Sequence, residues 1–348
     1  MTHEQGFIMR TITKNNLYAY SLGATILGSG GGGDPVILYD MVAYFMEKYG
    51  DININIISAD ELHEDDLVVP VAFVGAPLVS SERIPNTIVF DKVHEKITQD
   101  FPGRNLVLMP AEIGGCNALT PLLLALKYNL PVLDADLIGR AFPRLDMCKP
   151  SVLKRSCDPT YLADHMGNVM SLHLNSLQLL ESIVRDVTVH FGSCAAISTF
   201  LFDGKQVHDY VIEGSISRAM ELGERLLKHH DLVANDGASF IGRGVVSDVF
   251  HDMKGGFLFG SVVIKNEEAC FKIYFQNEYL KVVKNDIDVA GSPDLIVIIE
   301  QKTGLPLTTE SLAYGLDVTI LTLKAPSFWL DPISHACVDY KLLDLEAK

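Results

Sequence analysis

Long apolar runs are missing from this chain. No stretch of about 18 uncharged apolar residues occurs, so no membrane-spanning helix is expected. The opening residues MTHEQGFIMR lack the basic-then-apolar layout of a secretory leader. Positive charge is also scarce: 28 Lys and Arg stand against 44 Asp and Glu, a net charge of −16. That balance argues against nucleic acid, whose binding is driven by phosphate neutralisation, and against an anionic membrane surface. No Cys-x-x-Cys pair is present among Cys116, Cys148, Cys157, Cys194, Cys270 and Cys337, which removes zinc ribbons and thioredoxin-type redox sites. In a chain without a leader these thiols are expected to be reduced and mostly buried, in the cytoplasm. His-Glu-x-x-His is absent too, and the histidines show no metal-ligand spacing.

Glycine, by contrast, is concentrated in one place. Gly28-Ser29-Gly30-Gly31-Gly32-Gly33-Asp34-Pro35 carries five glycines in six positions. Such a segment can adopt positive φ and lets a ligand approach the main-chain N–H groups closely. Asp34-Pro35 reads as a helix N-cap followed by the favoured first helical residue. A P-loop would need a Lys after the glycines, yet no Lys or Arg lies between Lys14 and Lys48. The dinucleotide fingerprint needs a strand before the loop, whereas Lys14 to Leu27 has helical spacing, with Thr13 as its cap. No nucleotide is therefore expected. A neutral small molecule with N–H groups to donate suits Asp34 better than a phosphate does.

With 48 % apolar residues and 348 positions, the chain is long enough for two domains. Residues 1–180 read as an α/β domain with a largely parallel sheet and helices on both faces. Leu67–Gly75 and Asn105–Pro110 are continuous apolar strands of the kind covered on both sides. A helix is expected over Val36–Tyr49 and another over Asn117–Asn129, and Pro150 to Leu180 reads as mostly helical. Residues 181–348 read as a β-rich, barrel- or sandwich-like domain with one inserted helix, Ile216 to His229; whether the last strand returns to the first domain is left open. A β-run is expected from Asp186 to Phe202, with a hairpin at Asp203-Gly204.

In such sheets ligands sit beyond the carboxyl ends of the strands. Three polar clusters fall there: Ala76-Pro77 with Glu82; Glu112-Ile113-Gly114-Gly115-Cys116-Asn117; and Asp134-Ala135-Asp136 with Gly139-Arg140. Glu112 either transfers protons or binds ligand beside the paired glycines Gly114 and Gly115, or merely caps the following helix. Asp134 and Asp136 alternate on one face, where they could hold a divalent metal, divide acid and base roles, or form a turn. Arg140 could grip a substrate carboxylate or pair with one of those aspartates. Cys116 sits near a helix start that could activate its thiol, or is a small buried residue.

These segments occur in a matching order with Ile212-Glu213-Gly214-Ser215, Pro293-Asp294-Leu295-Ile296 and Tyr314-Gly315. Together they resemble the S-methyl thiohydantoin desulfurase family, also called hydantoinase-like, from about residue 15 to about residue 325. The resemblance implies an α/β domain joined to a β-rich domain. It also implies hydrolysis at C2 of a hydantoin-like ring with loss of a sulfur leaving group. That chemistry needs water activated by a carboxylate and donors for the ring carbonyl. Asp34, Glu112 and Asp136 are the candidate catalytic carboxylates, with Asp34 or Asp136 as the base and Glu112, with Asn117, orienting the ring N–H and C=O groups. Gly30, Gly31, Gly32, Gly33, Gly114, Gly115, Asn117, Asp134 and Arg140 are the candidate substrate-binding residues. The expected partner is a small-molecule substrate, and self-association is left open. Two positions depart from the pattern: Leu137 stands where Gly is expected and Arg144 where an acid is expected. The first could narrow the pocket, and the second changes its charge. Two other readings remain: a non-catalytic protein that binds a small ring compound, and an ATP-dependent oxoprolinase-like enzyme, which the missing phosphate-binding Lys counts against.

Overall fold

The computed structural model describes residues 10–75, 87–229, 232, 237–254 and 257–342. Ala76, Pro77 and Glu82 lie outside them. The first sheet contains β1 (Thr11–Ile12), β2 (Ile54–Ile57), β3 (Leu67–Gly75), β4 (Leu106–Pro110), β5 (Val132–Leu133), β7 (Thr160–Ala163), β8 (Val169–Leu172), β9 (Cys194–Ser198) and β10 (Phe202–Asp203). Its order is β1-β2-β5-β4-β3-β9-β7-β8, with β10 also on β3. The central strands β2, β5, β4 and β3 are parallel, and the flanking pairs are antiparallel. β6 (Ala135–Asp136) pairs separately with β11 (Ile212–Glu213). The second sheet is an antiparallel half-barrel of seven strands, β12 (Ser239–Lys254), β13 (Phe257–Lys265), β14 (Cys270–Gln276), β15 (Glu278–Lys284), β16 (Ile287–Gly291), β17 (Leu295–Glu300) and β18 (Asp317–Leu323). Both expected domain types are therefore present. The expected division at residue 180 falls within the helix Leu177–His190, and β9 and β10 beyond it join the first sheet. The last strand, β18, stays in the second sheet between β12 and β17.

The long helices are α1 (Leu17–Gly28), α2 (Val36–Lys48), α3 (Ile88–Asp100), α4 (Thr120–Tyr128), α5 (Leu177–His190) and α6 (Ser215–His229). α1 starts after Asn16 rather than at Thr13: the Asn16 Oδ1 accepts the Thr13 N–H at 2.7 Å, and the Thr13 carbonyl accepts the Leu17 N–H at 3.0 Å. Nearly all of α1 is buried, because α6 covers it on one side. The two backbones meet at glycines. A Cβ on Gly23 would stand 1.6 Å from the Ala219 carbonyl oxygen, and one on Gly223 would stand 1.7 Å from that of Ala19. β17 explains the run Leu-Ile-Val-Ile-Ile: Leu295, Val297 and Ile299 face the core containing α1 and α6, while Ile296 and Ile298 face the core of the second sheet. Among the described residues, no helix is long and apolar enough to cross a membrane.

Three local expectations are corrected. Pro150 to Leu180 holds one short helix, Lys149–Val152, and then the β7–β8 hairpin. Its turn is held by Asp164, whose carboxylate accepts the Met166 and Asn168 N–H groups at 2.9 and 2.8 Å. The expected β-run from Asp186 begins inside α5, since Leu180, Val184 and Thr188 form a buried helical stripe and tertiary burial outweighs the β-branched propensities. Asp203-Gly204 opens a 3₁₀ turn instead of a hairpin, with Asp203 and Gln206 forming a capping box.

Candidate functional site

The carboxyl ends of β3 and β4 open onto a cavity of about 190 Å³. Its walls are mostly apolar, with Ile37 and Leu38 from α2, Phe73 from β3, and Leu137, Phe142 and Phe200 from loops. The glycine loop forms one edge. Ser29, Gly30, Gly32 and Gly33 all have positive φ, between 49° and 86°, so the chain doubles back after α1. The loop is stitched to the second sheet. The Ser29 hydroxyl accepts the Ile296 N–H at 2.9 Å, the Ser29 carbonyl accepts the Tyr279 N–H at 2.7 Å, and the Gly30 carbonyl accepts the Thr309 N–H at 2.9 Å. Gly30 leans on the Tyr279 ring and Gly31 on the Glu278 carboxyl, so neither lines the cavity. Gly32 and Gly33 do line it, and their amides donate to no acceptor among the described residues. Gly114 and Gly115 serve the same junction from below. Gly114 abuts Ala141 and Gly28, and Gly115 abuts Gly32, while the Cys116 N–H reaches the Gly32 carbonyl at 2.9 Å.

Glu112, directly after β4, lines the cavity. The Asn117 Nδ2 donates to its Oε1 at 2.6 Å. Asn117 is itself fixed by β3, since its Oδ1 accepts the Phe73 N–H at 2.7 Å and its Nδ2 reaches the Phe73 carbonyl at 3.3 Å. The strand edge thus aims the amide, and the amide aims the carboxyl. Burial pushes the Glu112 carboxyl up to about 7, with the Asp136 charge adding to the rise while Asn117 and Arg185 oppose it. Such a group changes protonation near neutrality, as a general base should.

Asp34 lies at the cavity mouth, exposed, with its Oδ1 accepting the Val36 N–H at 2.9 Å. It therefore steadies the start of α2 from one position before Pro35, which itself occupies the cap.

Asp134 and Asp136 lie outside the cavity lining. Asp136 is fully buried, and its oxygens accept the Ile113 N–H at 2.9 Å, the Gly139 N–H at 2.8 Å and the Ser215 hydroxyl at 2.6 Å. Asp134 accepts the Ser217 N–H at 3.0 Å and the Ser217 hydroxyl, so it caps α6. Burial pushes Asp136 up to about 7 and raises Asp134 as well. The pair organises the loop beneath Glu112. Its oxygens are taken by N–H and O–H donors, which does not fit the metal site considered from sequence. Among the described residues, no group of three or more His, Cys, Asp or Glu could hold a metal ion.

Arg140 pairs with neither aspartate. It is fully buried and donates to the carbonyls of Ala141 at 2.9 Å, Pro293 at 2.5 Å and Asp294 at 3.0 Å, with Phe142 stacked on the guanidinium at 4.4 Å. It thus ties the loop to the second sheet and lies outside the cavity lining. Cys116 lines the cavity, but burial first, then the Glu112 charge, pushes its thiol well above the ordinary range, which disfavours the thiolate a nucleophile needs.

Sequence reasoning missed several polar lining residues, among them Glu278, Arg185, His165, Thr199 and Asn277. A signal for Glu278 existed. Gln276-Asn277-Glu278 interrupts an otherwise apolar β-stretch, and Asn277, at a φ of 58°, makes the turn that delivers Glu278 to the cavity. Arg185 is set by Glu181 at 2.8 Å and by the Pro143 carbonyl at 2.9 Å, which also straps the Pro143–Leu145 loop to α5. Arg144 lines the cavity and is paired through two nitrogens with Asp146. Leu137 lines it too, so both departures from the family pattern fall on the cavity wall.

Two family models match the chain almost end to end: the S-Me-THD-like N-terminal domain over residues 15–173 and the S-Me-THD-like C-terminal domain over residues 175–344. The chain belongs to the S-methyl thiohydantoin desulfurase-like family. No curated protein matches it. A crystal structure of a protein from Chromobacterium violaceum superposes with a TM-score of 0.83 at 21 % identity, covering 97 % of this chain and 98 % of that one. At that identity the likeness is one of fold. In this S-Me-THD-like chain, most of the cavity wall comes from the first match, while Arg185, Cys194, Thr199, Phe200, Asn277 and Glu278 come from the second.

Proposed function

We propose that the chain is a hydrolase of a small cyclic amide or thioimidate ring, of the S-methyl thiohydantoin or hydantoin type. The observation that carries this reading is Glu112: a carboxyl poised near neutrality, held by Asn117 in an apolar cavity beside backbone amides that have no acceptor among the described residues. The apolar walls suit a flat, neutral ring. The Gly32 and Gly33 amides suit its carbonyl oxygen. Ionised Glu112 takes a proton from water as the oxygen adds to C2. On sequence, Asp34 or Asp136 is the expected base, and Glu112 is expected to orient the ring. The committed oxygens of Asp136 and the exposed, rim position of Asp34 favour Glu112.

The test incubates the purified protein with a panel of S-methyl thiohydantoins and hydantoins, with and without divalent metals, following thiol release and ring opening. Turnover is expected on at least one ring. Glu112→Gln should lower it by about 10²-fold or more while the ring still binds. No turnover across the panel, or full activity in the Gln variant, overturns the reading; binding without turnover in the parent protein would make it a sensor rather than an enzyme.

A further inference from the structure

Behind the exposed Asp34 at the mouth, a second buried carboxyl faces the same cavity from the other domain. Glu278 follows the Asn277 turn at the start of β15, is 2 % exposed, and lines the cavity together with Glu112. Its Oε2 has no hydrogen-bond partner among the described residues, and no cation stands within 4.0 Å of it there. A buried carboxylate left this way is costly unless it is neutral or unless something enters to meet it. Its position is nonetheless firmly set. The Gly31 backbone leans on its Oε1, so closely that an added Cβ would stand 2.2 Å away. The Glu112 and Glu310 carboxyls bear on it as like charges, and the Arg140 guanidinium bears on it as the opposing one. Two carboxyls sharing one desolvated cavity cannot both ionise cheaply, so one holds its proton while the other is free to act as base.

We propose that Glu278 is a catalytic acid that protonates the departing sulfur. This rests on the hydrolase reading above and adds the second half of the reaction. Glu112 takes one proton from water while the oxygen bonds to C2, and the ring nitrogen of the C=N bond receives the displaced π electrons. The nitrogen pair then restores the C=N bond as C2–S breaks. The C–S electron pair stays on sulfur, which takes the Glu278 proton and leaves as a thiol. The hydroxyl proton moves to the ring nitrogen, giving the amide. The proton held on Glu112 passes through water to Glu278 and resets the pair. The net change is one water consumed and one thiol released. Burial and the Glu112 charge raise Glu278 well above the ordinary carboxylate range, in keeping with a proton held at neutral pH.

Leaving-group dependence tests this. Turnover of an S-methyl thiohydantoin and of its S-(4-nitrophenyl) analogue is measured in the parent protein and in Glu278→Gln. An alkyl thiolate needs a proton to leave, whereas a nitrothiophenolate does not. Glu278→Gln should therefore lose about 10²-fold or more on the S-methyl ring but only a few-fold on the aryl one. Equal losses on both rings, or no loss on either, overturn the proposal while leaving the hydrolase reading intact. Failure of the parent protein on both rings sinks the hydrolase reading itself. If the Gln variant does not fold, the parent protein decides: its kcat/KM should fall at high pH with the S-methyl ring and not with the aryl ring, and identical profiles overturn the proposal.

Discussion

Replacing Asn117 with Ala removes the donor that meets Glu112 at 2.6 Å. This hydrogen bond favours the ionised carboxyl, and burial opposes it. A hydrogen bond to a charged group contributes about 1.5–3 kcal/mol. At about 1.4 kcal/mol per pH unit, its loss should raise the Glu112 midpoint by roughly one unit or more, from about 7 towards about 8. At pH near 7 the ionised fraction then drops from about one-half to about one-tenth, a roughly fivefold loss of rate that disappears by about pH 9. The assay is kcat/KM against pH on whichever ring the parent protein hydrolyses. The variant's acid limb should move to higher pH and its plateau should return near the parent value. Asn117 also holds the Phe73 backbone, and damage through that route would lower the plateau without moving the limb. A limb that stays in place or moves to lower pH refutes the assignment of Glu112 as the base.

Three further outcomes follow from the packing. Asp136→Ala strips partners from the Ile113 and Gly139 N–H groups and the Ser215 hydroxyl; it should cost roughly 3 kcal/mol or more in urea unfolding, and an unchanged midpoint would contradict the anchoring role. Gly23→Ala forces α1 and α6 apart and should cost about 3 kcal/mol or prevent folding, as read by thermal melting; a melt within a degree of the parent's would refute the close crossing. Glu112 and Asp136 both titrate higher in the folded chain than in the unfolded one, so the folded state holds the extra protons between about pH 4 and about pH 7. Their contribution is full below that window and is lost as pH rises through about 7, so melting temperature should decline from about pH 5 to about pH 8, and a rising curve would contradict the burial of these carboxyls.

The strands β3 and β4 were legible in the sequence because each is a continuous apolar run, the mark of burial on both faces. The anchoring of Asp134 and Asp136 to the start of α6 was not, since on sequence a turn and a reactive pair were equally open for them. Nothing in the spacing of Asp134 and Asp136 reveals that Ser215 and Ser217, some eighty positions later, supply the donors that take up their oxygens. Glu112 was found because paired glycines follow it two residues on. Glu278 escaped because its role depends on contact between the second sheet and the glycine loop, a long-range pairing with no local periodicity. Arg140 was misjudged for the same reason: its partners are carbonyls of Pro293 and Asp294, over 150 residues away.

β9 lies between β3 and β7 but comes from the segment matched by the C-terminal family model. A gene split between codons 173 and 175 would therefore leave one fragment with bare β-edges on β3, β6 and β7 and the other with the orphan strands β9, β10 and β11, the usual seeds of aggregation. Expressed alone, each fragment should be lost to inclusion bodies. Expressed together, they should reassemble, which would make this chain a ready two-piece complementation reporter.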